Sequence, residues 1–187
     1  MHFDHVRIAA SPYCTDTLWG DCGKATHVAI TALFLGDAPV SVNATYELQH
    51  KTLDLEADAT VGKFSAKQLN DFLIPNERKA VTDGIVESGK LHLDIRNDNA
   101  ILNVTPYYRN LSMKVLPKNA NDSSGFLEGL KTFVANTFVL HSENLDKPGS
   151  PAESATIKLR REPHQEFLQF IWIVLRKSLG KIIGGFD

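Results

Sequence analysis

The sequence has no long apolar run and no excess of either charge, and each absence excludes a class of protein. No stretch reaches the roughly 18 uncharged residues of a membrane-spanning helix. Residues 1–5 lack the basic and apolar regions of a signal peptide. With 20 Lys and Arg against 22 Asp and Glu, the chain lacks the basic surface that nucleic-acid binding requires. We therefore expect a soluble chain, which either works where it is made or has been cut from a longer, exported parent.

Cysteine and histidine are also too sparse to indicate a metal site. The two cysteines, Cys14 and Cys22, lie in a segment that contains Pro12 and Gly23. This spacing fits a small disulfide loop in an oxidising compartment, and two unpaired thiols are the alternative. The seven histidines are scattered, and none forms a ligand pair with a cysteine. We expect neither a metal nor a cofactor.

Catalytic motifs are missing as well. The sequence contains no nucleophile elbow, phosphate-binding loop or dinucleotide-binding fingerprint. Titratable side chains alternate along two predicted strands, at Asp54, Glu56 and Asp58 and again at His92 and Asp94. Such rows are typical of the solvated face of a strand. The sequence therefore predicts no enzyme.

The clearest positive signal is a pair of strand-like runs, residues 90–96 and 100–105. In the first run Leu91, Leu93 and Ile95 alternate with polar residues, which is the pattern of a strand with one buried face. The intervening Asn97-Asp98-Asn99 predicts a hairpin turn, because Asn and Asp tolerate left-handed backbone. We expect residues 111–116 to form a third strand of this meander.

Similar patterns predict further elements along the chain. Strands are expected at residues 2–10, 26–35, 40–49, 52–61 and 155–161, with the second covered on both faces and a turn at residues 50–51. Ser65 and Gln68 have the form of a capping box, which predicts a short helix that stops before Pro75. A helix beginning at Ser123 or Ser124 and a return strand at residues 136–143 are expected next.

The last predicted helix runs from His164 to about Ile183, with Pro163 in its first turn. It carries more apolar side chains than one stripe can hold, and its end is basic. The sheet is one expected partner, and the other is a membrane surface, a second chain or a missing part of the protein. Burial in a crevice of its own domain is the alternative. The predicted membrane or partner contacts are Phe167, Phe170, Trp172, Ile173, Arg176 and Lys177.

These elements predict a single domain, residues 1–187, of the α+β class and mainly β. The expected architecture is an antiparallel sheet in meander order, and the resemblance described next implies that this sheet is curved and groove-like. A few helices accompany it, including an amphipathic helix at the C-terminus.

Three segments resemble the C-terminal region of the bacterial AsmA-like envelope proteins. They are Gln68-Leu69-Asn70-Asp71-Phe72-Leu73-Ile74-Pro75, then Ser88-Gly89 before a hairpin, then Thr105-Pro106-Tyr107-Tyr108-Arg109-Asn110-Leu111. The tail, with Arg161-Glu162-Pro163, Phe167 and Trp172, looks like the closing strand and helix of that family. The resemblance covers about residues 40–184. It departs from the family at Arg109-Asn110, where acidic residues are usual, and it includes no N-terminal membrane anchor.

The resemblance implies a periplasmic or envelope protein of a Gram-negative bacterium, normally anchored through a segment absent here. Its curved sheet would bind or shield lipid chains that pass between the inner and outer membranes. The implied partners are a phospholipid or other lipid and a membrane surface or envelope protein. The rival interpretation is a structural or regulatory envelope-assembly module with a closed core. The predicted lipid-facing residues are Val42, Leu53, Leu55, Leu91, Leu93, Ile95, Leu102, Val104, Leu111, Met113 and Val115.

Overall fold

A computed structural model describes residues 2–11, 25–46, 54–116, 142–162 and 164–184. Within these ranges eight strands form one open, curved antiparallel sheet, accompanied by two α-helices. The prediction of an α+β, mainly β fold is confirmed. The strands are β1 (Phe3–Ser11), β2 (Thr26–Phe34), β3 (Ala38–Tyr46), β4 (Leu55–Val61), β5 (Phe64–Ser65), β6 (Lys79–Arg96), β7 (Asn99–Val115) and β8 (Ala155–Arg160). The helical segments are a 3₁₀ turn (Ala66–Leu69), α1 (Asn70–Glu77) and α2 (Phe167–Ile183).

Neighbouring strands follow the order β1-β2-β3-β4-β6-β7-β8, and β5 pairs with the first half of β6. Their register aligns the apolar side chains of successive strands on one side of the sheet. Val42 lies opposite Ala59, Ala59 opposite Leu91, and Leu91 opposite Val104. Because strand side chains alternate between the two faces, this alignment produces one continuous apolar face and one polar face.

The hairpin of β6 and β7 is the centre of the sheet. Its turn lies at the predicted place, with Asn97 and Asp98 at φ 49° and 63°, as a two-residue turn that matches the strand twist requires. The predicted third strand is wrong as a separate element, because residues 111–115 continue β7. Three register shifts, between Val81 and Ser88 of β6, keep the two strands paired in the part of β7 that follows Pro106. Such bulges also bend a sheet, which accounts for its curvature.

Gly84 occupies one of these irregular positions. Its φ is +132°, and a Cβ atom there would lie 2.9 Å from Leu111 Cα. Only glycine combines this backbone conformation with so close an approach of the neighbouring strand. The glycine therefore allows β6 and β7 to stay paired through the bend.

Two predictions about the first helix are wrong. Ser65 precedes the 3₁₀ turn with extended backbone, but its side chain makes no capping hydrogen bond. The helix also continues through Pro75 to Glu77. Pro75 removes only the hydrogen bond to the Asp71 carbonyl, and Asp71 is exposed, so water can replace that bond.

The final helix begins at Phe167 rather than at the predicted His164. His164 has φ 68°, outside the helical region. Before the helix, Arg161 Nε donates to Asp98 Oδ1 at 3.0 Å and Gln165 N donates to the Glu162 carbonyl at 3.1 Å. The first bond ties Arg161 to the central hairpin, and the helix begins after the second, at Phe167.

The first half of α2 covers part of the apolar face. Phe170 and Val174 are fully buried there, in a cluster that includes Leu93, Ile95 and Leu102. We call the sheet surface formed by these three leucine and isoleucine residues the sealed part of the apolar face.

The polar face of β2 is not covered, because Ala29 on that face is exposed. The prediction that both faces of this strand are covered is therefore wrong.

Several predictions lie outside the described residues. They are the pairing of Cys14 with Cys22, the turn at residues 50–51, the position of Leu53, the helix from Ser123 or Ser124, most of the strand at residues 136–143, and the placement of Pro163.

Candidate functional site

An apolar recess lies between the apolar face and the two helices, and we call it the pocket. Its volume is about 410 Å³, within the roughly 300 to 1,000 Å³ of small-molecule sites. Strands supply Ala59, Leu91, Val104, Tyr108 and Met113, among others, and helical segments supply Leu69, Phe72, Leu73, Trp172, Leu175, Arg176, Leu179 and Ile183. Nearly all these side chains are apolar, so the pocket suits a hydrocarbon chain.

Three contacts hold the helices over the pocket. The Asn70 side chain donates to the Val81 carbonyl at 2.9 Å and accepts from the Val81 N–H at 2.7 Å, which ties α1 to β6. The rings of Phe72 and Trp172 meet edge to face with centroids 4.6 Å apart. One turn further along the same two helices, Arg176 Nη1 lies 3.3 Å from Glu77 Oε1. Together they join α1 to α2 and to the sheet.

An aromatic cluster lines one end of the pocket. Phe34 lies between Phe3 and Phe64, with ring centroids 5.2 and 5.5 Å away respectively. Phe64 is buried, whereas Phe3 is 56% exposed. Because Phe3 both lines the pocket and contacts solvent, the pocket is accessible at this end.

The apolar face continues past this end across β1, β2 and β3. Ile8 lies opposite Ile30, and Ile30 opposite Val42. Ile8 is 66% exposed, and the other two are half-buried. We call these three residues the open part of the apolar face. Contiguous exposed apolar surface of this kind usually marks a ligand or partner site.

Two polar groups on residues that line the pocket have no acceptor among the described residues. They are the Tyr108 hydroxyl and the Arg176 Nε–H, both buried. A buried donor without an acceptor costs about 1 to 3 kcal/mol of folding free energy. Burial, together with the nearby Glu153 charge, raises the pKa of Tyr108 to about 12. Its hydroxyl therefore keeps its proton and remains a donor at neutral pH.

The predicted lipid-facing residues divide between different environments. Leu91, Val104, Leu111 and Met113 line the pocket. Leu55, Leu93, Ile95 and Leu102 belong to the buried cluster that packs against α2. The prediction that these four face an open lipid path is wrong, because helix side chains occupy that space. Val42 lies on the open part, and Val115 is half-buried at the end of β7.

The predicted contacts on α2 also divide. Phe170 is completely buried against the sheet, so its prediction as a membrane or partner contact is wrong. Trp172 and Arg176 line the pocket, and Ile173 is half-buried. Phe167 is 39% exposed, and its neighbour Leu168, absent from the prediction, is 78% exposed. Lys177 is exposed.

Sequence reasoning missed Tyr108 and the lining residues of α1. Val104, Pro106 and Tyr108 are all buried, and their period of two places Tyr108 on the face of Val104. This signal was obscured by the prediction that a strand ends at residue 105. The helix residues Phe72 and Leu73 carry no local signal for the pocket, because their position depends on the tertiary bond from Asn70.

The polar face offers a wider but shallower groove of about 600 Å³, lined by His5, Arg7, Thr31 and Ser41, among others. Elsewhere on this face His92 Nδ1 lies 2.9 Å from Asp58 Oδ1, and both side chains are largely exposed. No three His, Cys, Asp or Glu residues of the described part of the chain are grouped as metal ligands. This face gives no convergent set of catalytic groups among the residues with known positions.

Neither described helix is both long and apolar enough to cross a bilayer. Comparisons with protein-family models, with curated proteins and with solved structures find no match. The pocket and the open part of the apolar face are therefore the features from which a function can be argued.

Proposed function

We propose that this chain is a non-enzymatic lipid-binding protein that shields acyl chains from water. The observation that carries the proposal is the apolar pocket of about 410 Å³, which borders solvent beside Phe3. An acyl chain has no hydrogen-bonding groups, so it gains most from a site with apolar walls and little polar surface to desolvate.

The open part of the apolar face extends this site. Val40 and Ala59 line the pocket. Ala59 lies opposite Val42 on the neighbouring strand, and Val42 lies opposite Ile30. A chain longer than the pocket can therefore continue over apolar sheet surface instead of entering water. Together with the resemblance to AsmA-like proteins, this continuity supports transport of lipid between the membranes of a bacterial envelope.

A closed assembly module is the rival function, and one observation favours it. The first half of α2 seals Leu93, Ile95 and Leu102, each no more than 5% exposed. In that interpretation the pocket is a packing defect, and the open part of the apolar face binds another envelope protein. The two functions make different predictions for a side chain that fills the pocket. Such a side chain should weaken acyl-chain binding only if the pocket is the lipid site.

A matched pair of substitutions tests the proposal. Ala59 is half-buried on β4 and lines the pocket, whereas Ala29 is exposed on the polar face. Ala59→Phe places a ring where an acyl chain would lie, and Ala29→Phe adds the same ring elsewhere. Aromatic residues suit strands, so both variants should fold.

Binding is measured by displacement of N-phenyl-1-naphthylamine, a fluorescent apolar probe, with 1-dodecanoylglycerol. We expect the wild type and Ala29→Phe to bind alike and Ala59→Phe to bind about tenfold or more weakly. Lipids extracted from the purified proteins are identified by mass spectrometry, and Ala59→Phe should retain less. If the wild type binds no acyl chain, or if Ala59→Phe binds as well as the wild type, the proposed function is incorrect.

A further inference from the structure

The two unmatched donors in the pocket indicate what kind of acyl chain it holds. A pocket for pure hydrocarbon would need no donor, yet Tyr108 is 1% exposed and its hydroxyl has no acceptor among the described residues. Arg176, on the facing helix, presents a buried Nε–H in the same state. A buried polar group without a protein partner is rare in native proteins, and water, an ion or a functional role is the common explanation.

Tyr108 is held firmly in this position. Its N–H donates to the Asn144 carbonyl at 3.1 Å, and its own carbonyl accepts from the Asn144 N–H at 2.8 Å. Its ring packs in a cluster with Val104, Leu111 and Ile182. The hydroxyl therefore has a fixed anchor, so it is preorganised to donate to a group that enters the pocket.

The charges near the two donors favour a neutral acceptor. The positive charge of Arg176 already faces Glu77, whose side chain is 9% exposed. Glu153 places a negative charge close enough to Tyr108 to oppose ionisation of its hydroxyl, since it contributes to the raised pKa. A second anion beside Tyr108 would be repelled, whereas the carbonyl oxygen of an ester accepts a hydrogen bond without adding charge.

We propose that the pocket binds a fatty-acyl ester whose carbonyl oxygen accepts a hydrogen bond from the Tyr108 hydroxyl, with the Arg176 Nε–H as a second donor within the same pocket. This inference rests on the proposed function and specifies its ligand. The acyl chain lies along the apolar walls, and the ester group lies at the buried donors. Selectivity for esters over chains without a carbonyl follows directly.

The test compares ligands that differ at the carbonyl. The ester 1-dodecanoylglycerol and the ether 1-O-dodecylglycerol have the same headgroup and chain length, and dodecanoate provides the anionic form of the acyl group. Each displaces the fluorescent probe N-phenyl-1-naphthylamine from the full chain. We expect the wild type to bind the ester about tenfold more tightly than the ether, as one buried hydrogen bond allows, and more tightly than dodecanoate.

Tyr108→Phe removes only the hydroxyl, and Tyr107→Phe is its matched control on the other face, where the ring lies 5.7 Å from Lys90 Nζ. Tyr108→Phe should lose about tenfold in affinity for the ester and change less than twofold for the ether. Its melting temperature should equal or exceed that of the wild type, because an unmatched donor has been removed. Tyr107→Phe should keep the ester preference.

The outcomes separate the two proposals. Equal binding of ester and ether by the wild type, or equal losses for both in Tyr108→Phe, would overturn the assignment of an ester and leave acyl-chain binding intact. Tighter binding of dodecanoate would overturn it in favour of anion recognition. Failure of all three ligands to displace the probe would overturn the proposed function together with this inference.

Discussion

Replacing Leu93 by Asp is the sharpest test of how the apolar face is divided. Leu93 is 5% exposed and belongs to the cluster that contains Phe170 and Val174, both fully buried. The substitution removes a packed side chain, worth about 2 to 5 kcal/mol in comparable cores. It also buries a carboxyl group with no partner, which costs several kcal/mol more. The sum approaches the total stability of a typical domain, about 5 to 15 kcal/mol.

Val42→Asp is the matched control on the open part of the apolar face. Val42 is half-buried, so water can reach a carboxylate at that position. We expect this variant to lose only about 1 to 2 kcal/mol. Urea denaturation followed by circular dichroism measures both variants against the wild type. Leu93→Asp should be largely unfolded or lose more than about 4 kcal/mol at pH 7.

The pH dependence of Leu93→Asp provides an independent check. Burial raises the pKa of the introduced carboxyl above its unfolded value of about 3.9. The folded state then binds more protons than the unfolded state, so the variant loses stability as the pH rises through this window. Its deficit relative to the wild type should therefore shrink as the pH is lowered towards 4. A stably folded Leu93→Asp, with a loss equal to that of Val42→Asp, would refute the sealing of this part of the face by α2.

Two further predictions concern polar contacts. Asn144 is 6% exposed, and its side chain forms hydrogen bonds with the backbone of Pro106 and Glu153. Asn144→Ala should therefore lose about 2 to 4 kcal/mol of unfolding free energy, measured by urea denaturation. A loss no larger than that of the exposed control Asn103→Ala would contradict this structural role of Asn144. The hydrogen bond from Arg109 lowers the pKa of Glu87 from 4.5, so Glu87 stabilises the fold above pH 4.5 and loses this contribution as the pH falls through its lowered pKa. Glu87→Gln should reduce the drop in melting temperature between pH 5 and pH 2.5, and an unchanged drop would exclude Glu87 as its source.

The hairpin of β6 and β7 was predictable where sequence pattern and local chemistry agree. Leu91, Leu93 and Ile95 alternate with polar residues, and Asn97 and Asp98 suit the left-handed turn, so neighbouring residues carry all the information needed. The continuation of β7 past Pro106 was not predictable in this way. It depends on Gly84, 22 positions earlier, and on the bulges that keep the strands paired through the bend.

The residues of the site also divide into those whose position the sequence predicted and those whose position it did not. The alternation of Leu91, Val104, Leu111 and Met113 predicted that they lie on the apolar face, and they line the pocket. Leu93 and Ile95 share that alternation but lie beneath α2. Alternation identifies the face on which a side chain lies, because it follows from strand geometry. It carries no information about which helix covers that face, or where.

The amino-acid sequence by itself determined the mainly β class, the apolar and polar faces of the strands, and the position of the central turn, because these features depend on residues close together in the chain. Only the tertiary structure decided which part of the apolar face is sealed and where the pocket lies. It also decided that the Tyr108 hydroxyl and the Arg176 Nε–H are buried without an acceptor among the described residues. These features depend on where α1 and α2 pack, through contacts such as that between Phe72 and Trp172, 100 positions apart. Helix packing of this kind is set by the shape of the whole sheet rather than by any local pattern of residues.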